Sequence, residues 1–101
     1  MEEKEKSEKF DTGLSKIKNE IKYQLAARGF FGSVTHTDVA AVDQVPNGSI
    51  IKISAKGRTA GRPFGREDIE GCHLRVGGKV LEGIVAMVDE LSTREETQHA
   101  H

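Results

Sequence analysis

The chain has 101 residues, 31% of them charged, and its formal net charge is only −1. This length suits one domain with a modest core, and the balanced charge argues against a dedicated polyelectrolyte binder, which would carry a clear basic excess. A single cysteine, Cys72, excludes an internal disulfide. Because the charged start is not a signal peptide and no apolar stretch is long enough to span a bilayer, we expect a cytoplasmic protein without membrane association.

The first predicted element is an amphipathic helix, whose apolar positions recur at spacings of three and four. These positions are Phe10, Leu14, Ile17, Ile21 and Leu25. Gly13 weakens the first turn of this helix, and Gly29 is placed to end it. Residues 1–9 and 93–101 are almost wholly polar, so we predict two disordered tails around a single domain over residues 10–92.

The segment Pro46-Asn47-Gly48-Ser49 predicts the turn of a β-hairpin, because Asn-Gly favours positive φ at both central positions of a type I′ turn. The register that follows places Asp43 opposite Lys52 and Val42 opposite Ile53. One face of the hairpin is then apolar and should pack on a helix; it carries Ala40, Val42, Ile51, Ile53 and Ala55. The other face is polar and open to water or a partner, with Asp43, Lys52, Ser54 and Lys56.

The stretch from Gly57 to Gly65 is rich in Gly and Arg, and two interpretations stay open: a loop, or an irregular third strand over Arg58–Phe64. Residues 66–70 suit a short helical turn. Apolar spacing from Lys79 to Leu91 predicts a second helix with a broad apolar face. That helix suits the centre of the core and, as an alternative, a dimer interface.

These elements predict an α+β fold: a single small domain of order α-β-β-(β)-α, with two helices packed on one face of a small antiparallel sheet. In outline this order resembles the double-stranded-RNA-binding family. That family places a Lys-rich cluster at the start of its last helix, where this chain offers only Arg75 and Lys79 around Gly77-Gly78. The resemblance therefore concerns the outline and not the motif, and implies no function by itself.

Gly-Arg recurs every four residues, at positions 57, 61 and 65. Glycine lets backbone amides approach an anion closely, and Arg forks onto phosphate or carboxylate. Residues 52–79 carry seven Lys/Arg against three Asp/Glu, whereas residues 80–101 carry one Arg and five acids. We therefore weigh an anion- or nucleic-acid-binding loop over residues 57–66 against a plain solvated loop. The candidate residues are Arg58, Arg62, Arg66, Lys52, Lys56 and Lys79.

The segment Gly29-Phe30-Phe31-Gly32 matches the Gly-x-x-Gly loop of KH RNA-binding modules, which it resembles over four residues only. The family's loop has basic or polar middle residues and leads into a helix, whereas here two Phe precede a segment that favours a strand. The alternatives are that one Phe fills the core, or that Phe30 and Phe31 form a partner interface.

Nothing in the pattern of residues indicates an enzyme. The four His are scattered, no zinc set is complete, and His73 is badly placed to act as a base for the adjacent Cys72. We expect no catalytic residue, metal or cofactor. The expected function is a small non-enzymatic binding or interaction protein. The alternatives are nucleic-acid or phosphate binding through residues 57–66, and a homodimeric adaptor using helix 79–91.

Overall fold

The computed structural model describes residues 2–42 and 45–99. It contains the elements α1 (Glu2–Ala27), β1 (Ser33–Val42), β2 (Val45–Ala55), β3 (Arg58–Gly65), α2 (Arg66–Gly71) and α3 (Gly78–His99). The α+β fold and the short helix after the Gly/Arg-rich stretch are thereby confirmed. Of the two interpretations left open for that stretch, the structure has the third strand. The predicted division into a domain over residues 10–92 and two tails stays a prediction.

The three strands form one antiparallel sheet in the order β1-β2-β3, so β2 is central and the described sheet has two edges. Alternate residues of β2 point to opposite faces. Ile51, Ile53 and Ala55 are buried against the helices, whereas Lys52 and Ser54 are exposed on the other side. The sheet therefore has a helix-covered face and a bare face, which we call the open face.

Helices α1 and α3 supply most of the remaining core. The apolar stripe of α1 is buried from Leu14 to Leu25, and Arg28 at its end bonds Asp89 of α3 at 2.8 Å. In α3 the buried apolar residues are Val80, Ile84, Met87, Val88 and Leu91. Only Leu81 and Val85 of its apolar positions are half-buried. The broad apolar face of α3 thus serves the core of its own chain and leaves little apolar surface for a partner.

The predicted hairpin turn at Asn47-Gly48 is wrong. Val42 pairs with Val45, so the strands are joined there, while Asp43 and Gln44, which the predicted pairing also involves, lie outside the described residues. Lys52 pairs with Thr35 instead. A type I′ turn needs positive φ at two successive residues, and here Asn47 has φ 66° while Gly48 does not adopt positive φ.

A type I′ turn, the kind predicted at Asn47-Gly48, occurs instead in the next hairpin, between β2 and β3. Lys56 has φ 53° and Gly57 has φ 76°, and Ala55 pairs with Arg58 across them. Two successive positive φ values joining paired strands are the geometry of a type I′ hairpin. The stretch that follows is strand β3, and Pro63 is tolerated in it because β3 is an edge strand.

None of the described helices is long and apolar enough to cross a membrane.

Candidate functional site

The open face is built from alternate residues of three strands. Two rows cross it near the β2–β3 turn. One row holds Ser33, Ser54 and Thr59, and the next holds Thr35, Lys52 and Gly61. All six residues are exposed. Because these rows present mainly hydroxyl groups, which donate and accept hydrogen bonds, the face can bind polar ligands without a pocket.

The charge of the open face is of one sign. A third row, Thr37, Ile50 and Pro63, lies beyond the first two. Among the described side chains on these three rows Lys52 is the only charged one, and none is a carboxylate. Among the described acids, Asp38 lies on the helix-covered side of β1 and the others lie on the helices, as with Glu67 and Asp89. An anionic partner would therefore meet less repulsion at the open face than at the helical face.

A basic corner lies where α1 ends and β2 turns into β3; it consists of Phe30, Lys56 and Arg58. Phe30 is 7% exposed and belongs to the core, which agrees with the alternative that one Phe of the pair fills the core. The Lys56 ammonium lies 4.7 Å and the Arg58 guanidinium 5.5 Å from the centre of its ring, within cation–π range. Phe31 is 80% exposed, so only this Phe is available to a partner.

The other predicted basic residues do not join the corner. In β3, residues four apart share a face, so Arg58 and Arg62 both lie on the helix-covered side, roughly 13 Å apart along the strand. Arg62 crosses α3 at Gly83, where an added Cβ would stand 2.8 Å from the Arg62 Nε. Arg66 bonds Glu70 at 3.0 Å, and Lys79 lies at the start of α3. The three Arg of the repeat therefore do not form one cluster, and their role in anion binding stays a prediction.

A shallow cleft of about 600 Å³ separates α2 from the start of α3. Its rim carries charges of both signs, with Glu67 and Asp68 on α2 and Lys79 on α3. Cys72 lines the cleft but is only 3% exposed. Burial raises the pKa of its thiol, a hydrogen bond with the Gly77 backbone opposes that change, and the charge of Asp68 adds to it. A buried thiol kept protonated is a poor nucleophile, which argues against an enzyme acting through Cys72.

The edge strand β1 carries a small polar cluster on its helix-covered side. The Ser49 hydroxyl donates to the Asp38 carboxylate at 2.7 Å, and the His36 Nε2 lies 4.0 Å from the same oxygen. Ser49 is fully buried, so its hydroxyl is satisfied by this bond and is not presented to a substrate. Among the described residues no group of three or more His, Cys, Asp and Glu is placed to hold a metal ion.

Sequence reasoning identified Lys52 and Ser54 on the open face but missed its hydroxyl partners on β1 and β3. A usable signal was present: Ser33, Thr35 and Thr37 alternate at period two, as expected for one side of a strand. The incorrect turn at Asn47-Gly48 concealed it, because that register did not bring this segment beside Lys52. Comparison of the chain with protein-family models, with curated protein sequences and with solved structures found no match.

Proposed function

We propose that this chain is a small non-enzymatic binding protein whose partner lies on the open face of its sheet. The observation that carries the proposal is the asymmetry of the sheet. One face is sealed by buried Ile51 and Ile53, and the other is bare, hydroxyl-rich and free of described carboxylates. A polar face of an antiparallel sheet is stable in contact with water, so this face stays accessible to a partner that hydrogen-bonds to it.

The second part of the proposal concerns the chemistry of the partner, which we infer to be a phosphate-bearing polyanion such as single-stranded nucleic acid. Lys52 on the open face and Lys56 at the basic corner supply exposed cations that neutralise phosphates. The Ser and Thr hydroxyls supply donors to phosphate and sugar oxygens. Phe31, at 80% exposure, offers an aromatic surface on which a base can stack.

A titration tests this proposal directly. We expect a labelled single-stranded oligonucleotide to bind at low ionic strength, with an affinity that falls as salt is added, because released counterions dominate such binding. Lys52→Glu should weaken binding about tenfold, and Phe31→Ser should weaken it by a similar factor through lost stacking. Fluorescence anisotropy on the full chain measures both effects.

Lys22→Glu is the matched control, since it makes the same change of charge at an exposed residue of α1. It should change the affinity far less than Lys52→Glu does. Equal losses from the two variants would mean that binding follows net charge and not the open face. No binding at low salt by single- or double-stranded oligonucleotides would exclude the polyanion.

A further inference from the structure

The two edge strands of the sheet differ in how they resist pairing with another strand. An edge strand exposes a row of unpaired backbone groups, and proteins protect it with charged side chains, Lys above all, with Pro, with bulges or with short length; on β1 the one acidic residue is Asp38. Strand β3 carries Arg58, Arg62 and Pro63 within eight residues. Strand β1 is ten residues long, from Ser33 to Val42, and contains no Lys, Arg, Pro or Gly.

The side chains along β1 are also accessible. From Ser33 to Ala40 each one is exposed or half-buried, and no strand in the described part of the chain lies on the outer side of β1. The composition, with Val34, Thr35, Thr37 and Val39, favours strands. A long, accessible edge of this kind is a template for another strand.

The polar residues of β1 indicate which strand could pair with this edge. His36 and Asp38 are its only titratable residues, and they flank Thr37. If a second copy pairs antiparallel with its two-fold axis at Thr37, position i lies opposite position 74 − i. His36 of each copy then faces Asp38 of the other, on the same side of the sheet, and Thr37 faces itself. An imidazole opposite a carboxylate can hydrogen-bond across the strands, and Thr–Thr is a favourable cross-strand pair as well.

We propose that β1 is a self-complementary dimerisation edge, at which two copies of this chain pair antiparallel about Thr37. Two sheets of three strands then form one continuous sheet of six, with the helices of both copies on the same side. The interface is isologous, as closed two-fold dimers require. It is distinct from the apolar face of α3, which the core of each chain already uses, and it does not depend on the function proposed above.

Disulfide trapping tests the register. Residues directly opposite in an antiparallel pair have Cα atoms about 4.5 to 5.5 Å apart, within disulfide range. In a Cys72→Ala background, Thr37→Cys should cross-link to itself roughly tenfold faster than Ser54→Cys, an exposed control on the central strand, because the dimer holds the two thiols at high effective concentration. Thr35→Cys and Val39→Cys should each cross-link slowly alone and quickly when mixed.

If Thr37→Cys cross-links no faster than Ser54→Cys, or if Thr35→Cys prefers itself to Val39→Cys, the proposed register is wrong. Circular dichroism of each variant shows that the fold is intact, so a slow cross-link cannot be attributed to unfolding.

Charge exchange provides a second readout that needs no cysteine. His36→Asp should raise the dimer dissociation constant about tenfold in sedimentation equilibrium, because two-fold symmetry places two pairs of carboxylates opposite each other. Adding Asp38→His to that variant places an imidazole opposite each carboxylate again and should recover most of the affinity. A wild-type chain that stays monomeric at high concentration, or a double variant as weak as the single one, would overturn the proposal.

Discussion

Replacing Gly13 by Ala should destabilise this protein by about 3 kcal/mol, although Ala is the better helix former by about 1 kcal/mol. Gly13 is buried on α1 where α2 crosses it. A Cβ at Gly13 would stand 1.8 Å from the carbonyl oxygen of Ile69. Neither group is the end of a flexible side chain, so the two helices would have to separate and lose the packing of Ile69 in the core.

Urea unfolding of Gly13→Ala and Gly71→Ala measures this effect. Gly71 ends α2, and an added Cβ meets nothing within 4 Å there, so Gly71→Ala is the matched control. We expect the control to change the free energy of unfolding by less than about 1 kcal/mol. A Gly13→Ala variant as stable as the control would show that α1 and α2 do not meet at this point.

The second large effect is expected at the central strand. Ile51 is fully buried on the helix-covered face, and its neighbour Ile50 is half-buried on the open face. Ile51→Ala should lower the free energy of unfolding by about 2 to 5 kcal/mol, because it removes buried methyl groups and leaves a cavity. Ile50→Ala removes the same atoms from a partly solvated position and should cost about 1 kcal/mol or less.

Chemical denaturation of the two variants gives the comparison. Since both variants make the same chemical change at adjacent residues, the difference between them reports which face is covered. Equal losses of stability would contradict the assignment of the open face.

The faces of β2 could be predicted from sequence even though its register could not. Asn47-Gly48 predicted that Lys52 pairs with Asp43, but it pairs with Thr35. The observed partner of Lys52 lies eight residues before the predicted one. Because eight is an even number and side chains alternate with period two, each side chain keeps its predicted face. Ile51 and Ile53 therefore stayed on the covered face. Hydrophobic alternation depends only on parity, whereas the register of β1 and β2 depends on where the chain turns between them, which is between Val42 and Val45.

Gly48 shows why the turn signal misled. It lies in the central strand, where a Cβ would stand 2.8 Å from the Phe64 carbonyl oxygen and 2.6 Å from the Val42 side chain. Its small size serves close packing between strands rather than turn geometry. Sequence alone does not separate these two uses of glycine, because both appear as the same residue between apolar segments.

The Gly-Arg repeat shows the limit of sequence reasoning about the site. A spacing of four suggests a cluster in a loop, but in β3 it places Arg58 and Arg62 on the helix-covered face. There Arg58 lies by Phe30, and the stem of Arg62 lies across α3 at Gly83. Arg62 is exposed overall, as is usual for long cationic side chains that cover apolar surface with their stems, whereas Nη1 of Arg58 is buried. The open face, in contrast, combines Ser and Thr with one Lys and a few uncharged residues such as Ile50 and Pro63, a composition that no binding motif describes.

The proposal that the open face is the binding surface is tested most directly by mapping backbone amide shifts by NMR while a single-stranded oligonucleotide is added to the full chain. We expect the largest changes in three stretches, around residues 31–37, 52–56 and 59–61, with smaller changes at the exposed residues of α1 and α3. The largest changes on those helices, or at the cleft between α2 and α3, would contradict the proposal.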